Sequence, residues 1–549
     1  DIHGNVHTLV QDQPDLAAFG NQLKTLEYSY DLISGNTQEV RYQPNAADQF
    51  THRYAYDADN RLETVHTSLN GVVWERDADY KYYDHGPLER TQLGDVDVQG
   101  SDYTYTLHGW LKGVNANTLR SARDPGQDGE IGNGYQSGQA GMHRQVARDA
   151  YGFSLGYYDG DYSAIDGGAA AFLATQAGSH FKTAQHFLYN GNISHLVNAL
   201  SKPDETEMAV HGYAFTYDQL NRLKDMETYT HNDLSASNSF APAGGFGGDA
   251  PNPTDYKVEL AYDANGNITT LKRNGYAASG NLAMDDFTYR YKTDVAGNLV
   301  HNRLALVNDP TPAGHYGVDI DEQDAGGTFD PNSESTWNYT YDEIGQLLED
   351  KAEEIANIDW NPYHKVTRVT RTATSTKSDL EFLYDASGNR IAKRELPRTG
   401  SGLATQDQWV TTFYGLDAGG RIMTTYRHFY VPNGSDGQGN LLFQENYAPT
   451  EAMLYGSGRL GTTNPNRGFW SRQLTVSATY NPDGTFNILT AGAPLLARES
   501  KVQSQDDFSS PSPGGGGYPG WVPIGNGVPA QSGGTLTLDL PGTNDGVIH

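Results

Sequence analysis

Residues 382–394 read FLYDASGNRIAKR, and much of the chain is a set of variations on them. Phe382 and Tyr384 lie two apart, which puts both side chains on one face of an extended segment. Asp385, Gly388 and Asn389 then supply the side-chain hydrogen bonds and the positive φ that a tight reversal needs. A second extended run follows, so the stretch predicts a β-hairpin. The same grouping returns at Tyr56 and Asp57, at Tyr217 and Asp218, at Tyr262, Asp263, Gly266 and Asn267, and at Tyr341, Asp342 and Gly345. Asp294 and Asp417 keep the turn without the tyrosine, and Asp1 opens a turn whose leading strand is missing, so the chain is expected to start inside a repeat. Weaker copies surround Asp31, Asp84 and Thr106.

A hairpin repeated in order pairs each strand with its neighbour in sequence, and the resulting strip grows sideways. Strands twist in one sense, so a growing strip coils. The expected fold class is therefore all-β: a long coiled antiparallel β-hairpin strip over residues 1–465, formed as one curved sheet around enclosed space. The aspartates are expected to cap their own turns, and the tyrosines to be core residues.

An aromatic-x-Tyr-Asp group followed by Gly-Asn or Gly-Arg and then by Leu, Ile or Val resembles the YD-repeat or Rhs family. Residues 103–114 (YTYTLHGWLKGV), 154–158 (SLGYY) and 454–461 (LYGSGRLG) resemble further landmarks of bacterial Rhs cores. The resemblance covers most of residues 1–465. It implies a hollow shell of the kind found in polymorphic toxins and in the cocoons of toxin complexes, part of a large secreted or cell-surface bacterial protein. Its implied partners are the chain's own further N- and C-terminal regions and an enclosed C-terminal effector domain. The rival function is a surface adhesin that holds a glycan or protein through tyrosines, tryptophans and acidic loops.

Composition narrows the remaining classes. Hydrophobic content is only 37%, but 36 tyrosines bring large apolar area with a polar tip. Asp and Glu outnumber Lys and Arg by 68 to 38, for a net charge of −30, and no basic cluster offers itself to phosphates, so nucleic acid is not an expected partner. The absence of cysteine removes disulfides and thiolate chemistry. No apolar run has the length of a membrane span. Phosphate-loop, zinc-helix and nucleophile-elbow motifs are all absent, so no enzymatic role and no catalytic residue is assigned. His195, His211 and His364 sit in strand-like surroundings and read as structural.

One motif bears on metals. Asp124, Asp128 and Glu130 are closely spaced carboxylates in a Gly-rich loop, either a solvated acidic loop or oxygen ligands for a structural Ca2+. No other cofactor is expected. Asp159, Asp161 and Asp166 form a weaker version. Some bacterial relatives cleave themselves at Asp-Pro motifs after the repeat core; here Asp124-Pro125, Asp309-Pro310 and Asp330-Pro331 lie inside the array and mark no cleavage site.

Three stretches interrupt the rhythm: 120–150, 235–254 and 308–335, polar and rich in turn formers, expected as surface loops. Residues 169–176 read as a short helix. Residues 350–357 have helical propensity but follow a turn directly, and read as a strand. Residues 466–505 are assigned to the end of the core, 506–534 to a Gly/Pro-rich linker, and 535–549 to the start of a further β-sandwich-like module, opened by the alternating run at 535–540.

Overall fold

The computed structural model describes residues 4–119, 124–129, 143–164, 187–201, 210–231, 254–276, 280–435 and 441–463, apart from short loop segments inside them, with Phe172 and isolated backbone strands elsewhere. The fold is all-β. Among the described residues the helical elements are the 3-10 turns Pro14–Phe19 and Glu334–Thr336. Antiparallel pairing follows chain order, from Thr8–Asp12 against Leu23–Tyr30 and on through an 18-stranded ladder to Leu299–Asn308. A second ladder of ten strands runs from Tyr339–Tyr341 to Arg459–Thr463.

The expected single sheet is thus two ladders. They meet where the Asn338 amide donates to the Ala305 carbonyl at 3.0 Å. The break has a local cause. The stretch between the ladders is anchored on both sides, by buried Trp337 and by buried Asp309, whose Oδ1 accepts from the Asp286 amide at 3.0 Å. It occupies the edge that the next strand would otherwise pair along.

The hairpin turns follow one design. Asp57 N–H donates to the Arg61 carbonyl and Asn60 N–H to the Asp57 carbonyl, a type I turn closed by a left-handed residue and a bulge. Gly266, Gly345 and Gly388 hold that left-handed position at φ 92, 95 and 80, and Asn60, Asn221 and His364 hold it at 62, 62 and 58. His364 is therefore a turn residue and not a strand residue. It belongs to a further copy of the repeat, in which Trp360 and Asn361 replace Tyr and Asp.

Three other expectations change. Residues 351–354 are a turn, not strand, because they join Leu347–Asp350 to Ile355–Trp360 as a hairpin. The described part of 120–150 is not a surface loop: Asp124, Asp128, Val146 and Asp149 are buried. The proposed helix, Phe172 apart, and most of 235–254 lie outside the described residues. Beyond residue 465 only backbone strands are described, and there Thr535–Thr537 pairs with Val476–Tyr480, upstream of the Gly/Pro-rich stretch.

The largest core lies where the beginning of the strip packs on its end. Leu16, Leu26, Tyr28, Val40, Tyr42 and Phe50 cluster with Ala392, Phe413, Met423, Tyr426 and Ala452. Hydrogen bonds across this seam join residues 377 to 405 apart in sequence. Gln11 and Gln13 donate to the Tyr414 carbonyl, the Leu416 amide donates back to Gln11, and His52 Nε2 meets the Met453 carbonyl at 3.0 Å. Tyr426 donates to Asp48 at 2.7 Å, and Asp48 also pairs with Lys24, which is fully buried with its Nζ 4.2 Å from the Tyr426 ring centre. Gly415 is needed here: a Cβ on it would lie 2.4 Å from the Tyr42 hydroxyl. Between the two contacting ends the strip makes about twenty strand-to-strand steps of about 4.8 Å, on the order of 100 Å. A strip that long touches its own start only by coiling through a full turn.

Candidate functional site

Two sets of aspartates were singled out from the sequence, and the structure puts them in opposite environments. The turn aspartates lie on the strip's edge and accept hydrogen bonds in their charged form. Asp263 takes the amides of Asn265 and Asn267 and the Asn267 side chain, at 2.9, 2.8 and 2.7 Å. Asp57 and Asp218 each take two amides and the guanidinium of the arginine four residues on. Asp385 takes the Ser387 and Asn389 amides, and Asp342 the Gln346 amide. Desolvation raises these carboxylates and is the largest single influence on Asp57 and Asp263, but the hydrogen bonds together outweigh it and hold Asp57, Asp218 and Asp263 below the ordinary carboxylate range.

Tyr56, Tyr217, Tyr262, Tyr341 and Tyr384 are half-buried and are not among the buried core residues, a correction to the expected core role, whereas Tyr30 of the copy at Asp31 packs against the largest core. Their rings pack along the strip while their hydroxyls stitch one hairpin to the previous one. Tyr56 donates to the Thr37 carbonyl, Tyr217 to Ile193, Tyr262 to Leu223 and Tyr384 to Val366, at 2.7 to 3.0 Å. Tyr341 stands beside the break between ladders, and there Arg303 reaches across instead, its Nη1 donating to the Asp342 carbonyl at 2.8 Å. The row of turns is therefore a structural seam of its own. The fully buried rings are others, Tyr42, Tyr80 and Tyr426.

The second set converges on a buried site. Arg90, on the strand Leu88–Leu93, donates through Nη1 to Asp102 at 2.5 Å and through Nη2 to both oxygens of Asp128 at 2.8 and 3.0 Å. The Asp128 amide donates to Asp124 Oδ2 at 2.8 Å, closing the loop on itself. Asp102, on Gln99–Tyr105, is tied at its backbone to the Asn115 side chain. Asp149 completes the group, its Oδ1 accepting from Gln99 at 3.1 Å. The arginine fork is held between two backbones: a Cβ on Gly100 would lie 2.1 Å from Arg90 Nη2, and one on Gly126 would lie 2.2 Å from Nη1.

Desolvation dominates this group's electrostatics. Burial pushes Asp102 up to about 7 and Asp128 up to about 6 although Arg90 pulls both down, and burial with the neighbouring Asp124 and Asp128 raises Asp149 further. Glu130, the third residue singled out with Asp124 and Asp128, lies outside the described residues. The structure supplies Asp102 and Asp149 from other parts of the chain. Neither carries a local motif; the one sequence signal is Arg90 and Gly100, small and basic residues at regular strand positions. Of the weaker set, Asp161 makes a buried pair with Lys112 at 2.7 Å, Asp159 is exposed, and Asp166 lies outside the described residues. His195 is buried beside Ser194, whose Oγ is 2.8 Å from Nδ1, and burial lowers it to about 3, a neutral structural histidine. His211 is half-buried on Val210–Tyr217.

No family model matches the chain, and no curated protein matches it. Solved structures that it resembles include the toxin complex TcdB2-TccC3, at 13% identity over 85% of this chain and 21% of that one, with a TM-score of 0.43. The same complex without its hypervariable C-terminal region aligns at 13% identity over 84% and 20%, with a TM-score of 0.41. A porin-like protein from Bacteroides uniformis aligns over 47% of this chain and 92% of its own, at 11% identity and a TM-score of 0.14. This chain spans about a fifth of the length of the TcdB2-TccC3 chains. Among the described residues, no helix is long and apolar enough to cross a membrane.

Proposed function

We propose that the chain is a segment of a structural shell, a wall that encloses and shields an effector region within a larger secreted or surface bacterial protein. The observation that carries this reading is the seam, where the strip returns to its own start. A loop of wall on the order of 100 Å around is about 30 Å across between backbones, and about 20 Å once a layer of side chains is subtracted from each wall. That width admits a helix with its side chains, about 10–12 Å across. The repeated stitching of hairpin to hairpin favours a rigid wall over a moving part, and the resemblance of its repeats to Rhs cores supports an enclosed C-terminal cargo.

Cryo-electron microscopy of the full-length protein tests this. A hollow interior occupied by a protease-protected C-terminal segment is the expected result, and an interior filled by the wall's own side chains would overturn it. A second reading, the adhesin, is favoured by the exposed rings of Tyr189 and Tyr363, at 71% and 75% exposure. Binding to a glycan array that disappears in Tyr363→Ala would move the choice to it.

A further inference from the structure

Three buried carboxylates, Asp102, Asp124 and Asp128, gather at one guanidinium and leave an excess of negative charge inside the protein, and such an excess has to be met by protons or by a cation. We propose that Asp102, Asp124 and Asp128 form a binding site for one divalent cation of the Ca2+ class, which clamps residues 124–129 onto the strands that carry Arg90 and Asp102.

The geometry points to an ion in two ways. Asp102, Asp124 and Asp128 each offer an oxygen, and these oxygens lie within 4.8 Å of one another, a spacing that one cation can span. Asp124 is only 6% exposed, and its Oδ1 has no hydrogen-bond partner, while its Oδ2 is pinned by the Asp128 amide. A fixed, buried carboxylate thus directs an unused oxygen into the cluster. Arg90 does not fill this role, because Gly100 and Gly126 hold its fork on Asp102 and Asp128. The donors are all hard oxygens in an irregular arrangement, which suits Ca2+ better than Mg2+ with its strict octahedral demand.

The rival occupant is a shared proton. The test is calorimetric titration of the chelator-treated full chain with CaCl2, with thermal unfolding in parallel. Expected are one bound Ca2+ per chain at concentrations up to about 1 mM, a higher Tm with the ion, and loss of both in Asp124→Asn. Asp128→Asn serves as the second variant if Asp124→Asn fails to fold, and Asp385→Asn, on a turn outside the cluster, should bind as the unmodified chain does. Absence of Ca2+ binding, or binding that survives in both cluster variants, would overturn the site. A Tm indifferent to both chelator and Ca2+ would assign the cluster to bound protons.

Discussion

The row of turns and the seam are both built from tyrosine and aspartate, yet they hold the strip by different means. At a turn, every partner lies close by: Asp263 is satisfied by residues two and four positions on, and Tyr262 reaches the carbonyl of Leu223 in the hairpin before it. At the seam, Tyr426 meets Tyr42 and Asp48, hundreds of residues away, in a region closed to water. The lesson is that a repeat distributes stability in small equal parts, whereas the closure of the coil concentrates it. A lost turn is bypassed by its neighbours. A lost seam contact has no substitute, because the strip returns to its start only there.

That contrast is testable by substitution, and the largest effect belongs to the seam. Tyr426→Ala removes a fully buried ring together with the hydroxyl that Asp48 accepts from, and should cost about 4 kcal/mol in chemical denaturation. A cost near that of a turn substitution would mean that the two ends pack without depending on each other. Next comes Asp48→Ala, which strands the fully buried Lys24 ammonium without its counter-charge. Its expected cost is about 3 kcal/mol, and Lys24→Met added to it should recover part of the loss.

Acid should also act at the seam, as it does at the buried His195. Burial lowers His52 to about 4 from an ordinary 6.5, so between those values the unfolded chain takes up a proton that the folded chain refuses. Stability from this group is present above pH 6.5 and falls as pH drops toward 4, by about 2 kcal/mol at pH 5. His52→Gln should show a correspondingly smaller loss between pH 7 and pH 5, and equal losses in the two proteins would remove His52 from the account. The turn aspartates have lowered values, so their contribution persists through this range and disappears only below the ordinary carboxylate value.

The smallest effects are at the turns. Tyr262→Phe keeps the ring and deletes one hydroxyl bond to the Leu223 carbonyl, and should cost about 1 kcal/mol. Combined with Tyr384→Phe on a distant hairpin, the two costs should add to within about 0.5 kcal/mol, whereas Tyr42→Phe and Tyr426→Phe, which share a hydrogen bond, should not. Coupling between the two turn substitutions would show that the row of turns acts as one cooperative unit.

The all-β class, the antiparallel neighbour pairing and the turn chemistry were legible in the sequence, because each depends on groups within a few residues of one another. Asp385, Gly388 and Asn389 carry their own reversal wherever they occur. The copy at Trp360 and Asn361 obeys the same rule and was hidden only by its different residue types. The long-range choices left no such trace. Arg90 finds Asp128 because an insertion brings them together, and Asp48 finds Tyr426 because the strip coils, while an isolated arginine or aspartate reads as a solvated one. The half-burial of the turn tyrosines has the same origin, whereas the break between the ladders comes from the stretch anchored by Asp309 and Trp337. A hairpin is decided by local backbone geometry and its immediate hydrogen bonds, but which face is buried, and against what, is decided only when the strip has curved far enough to meet itself.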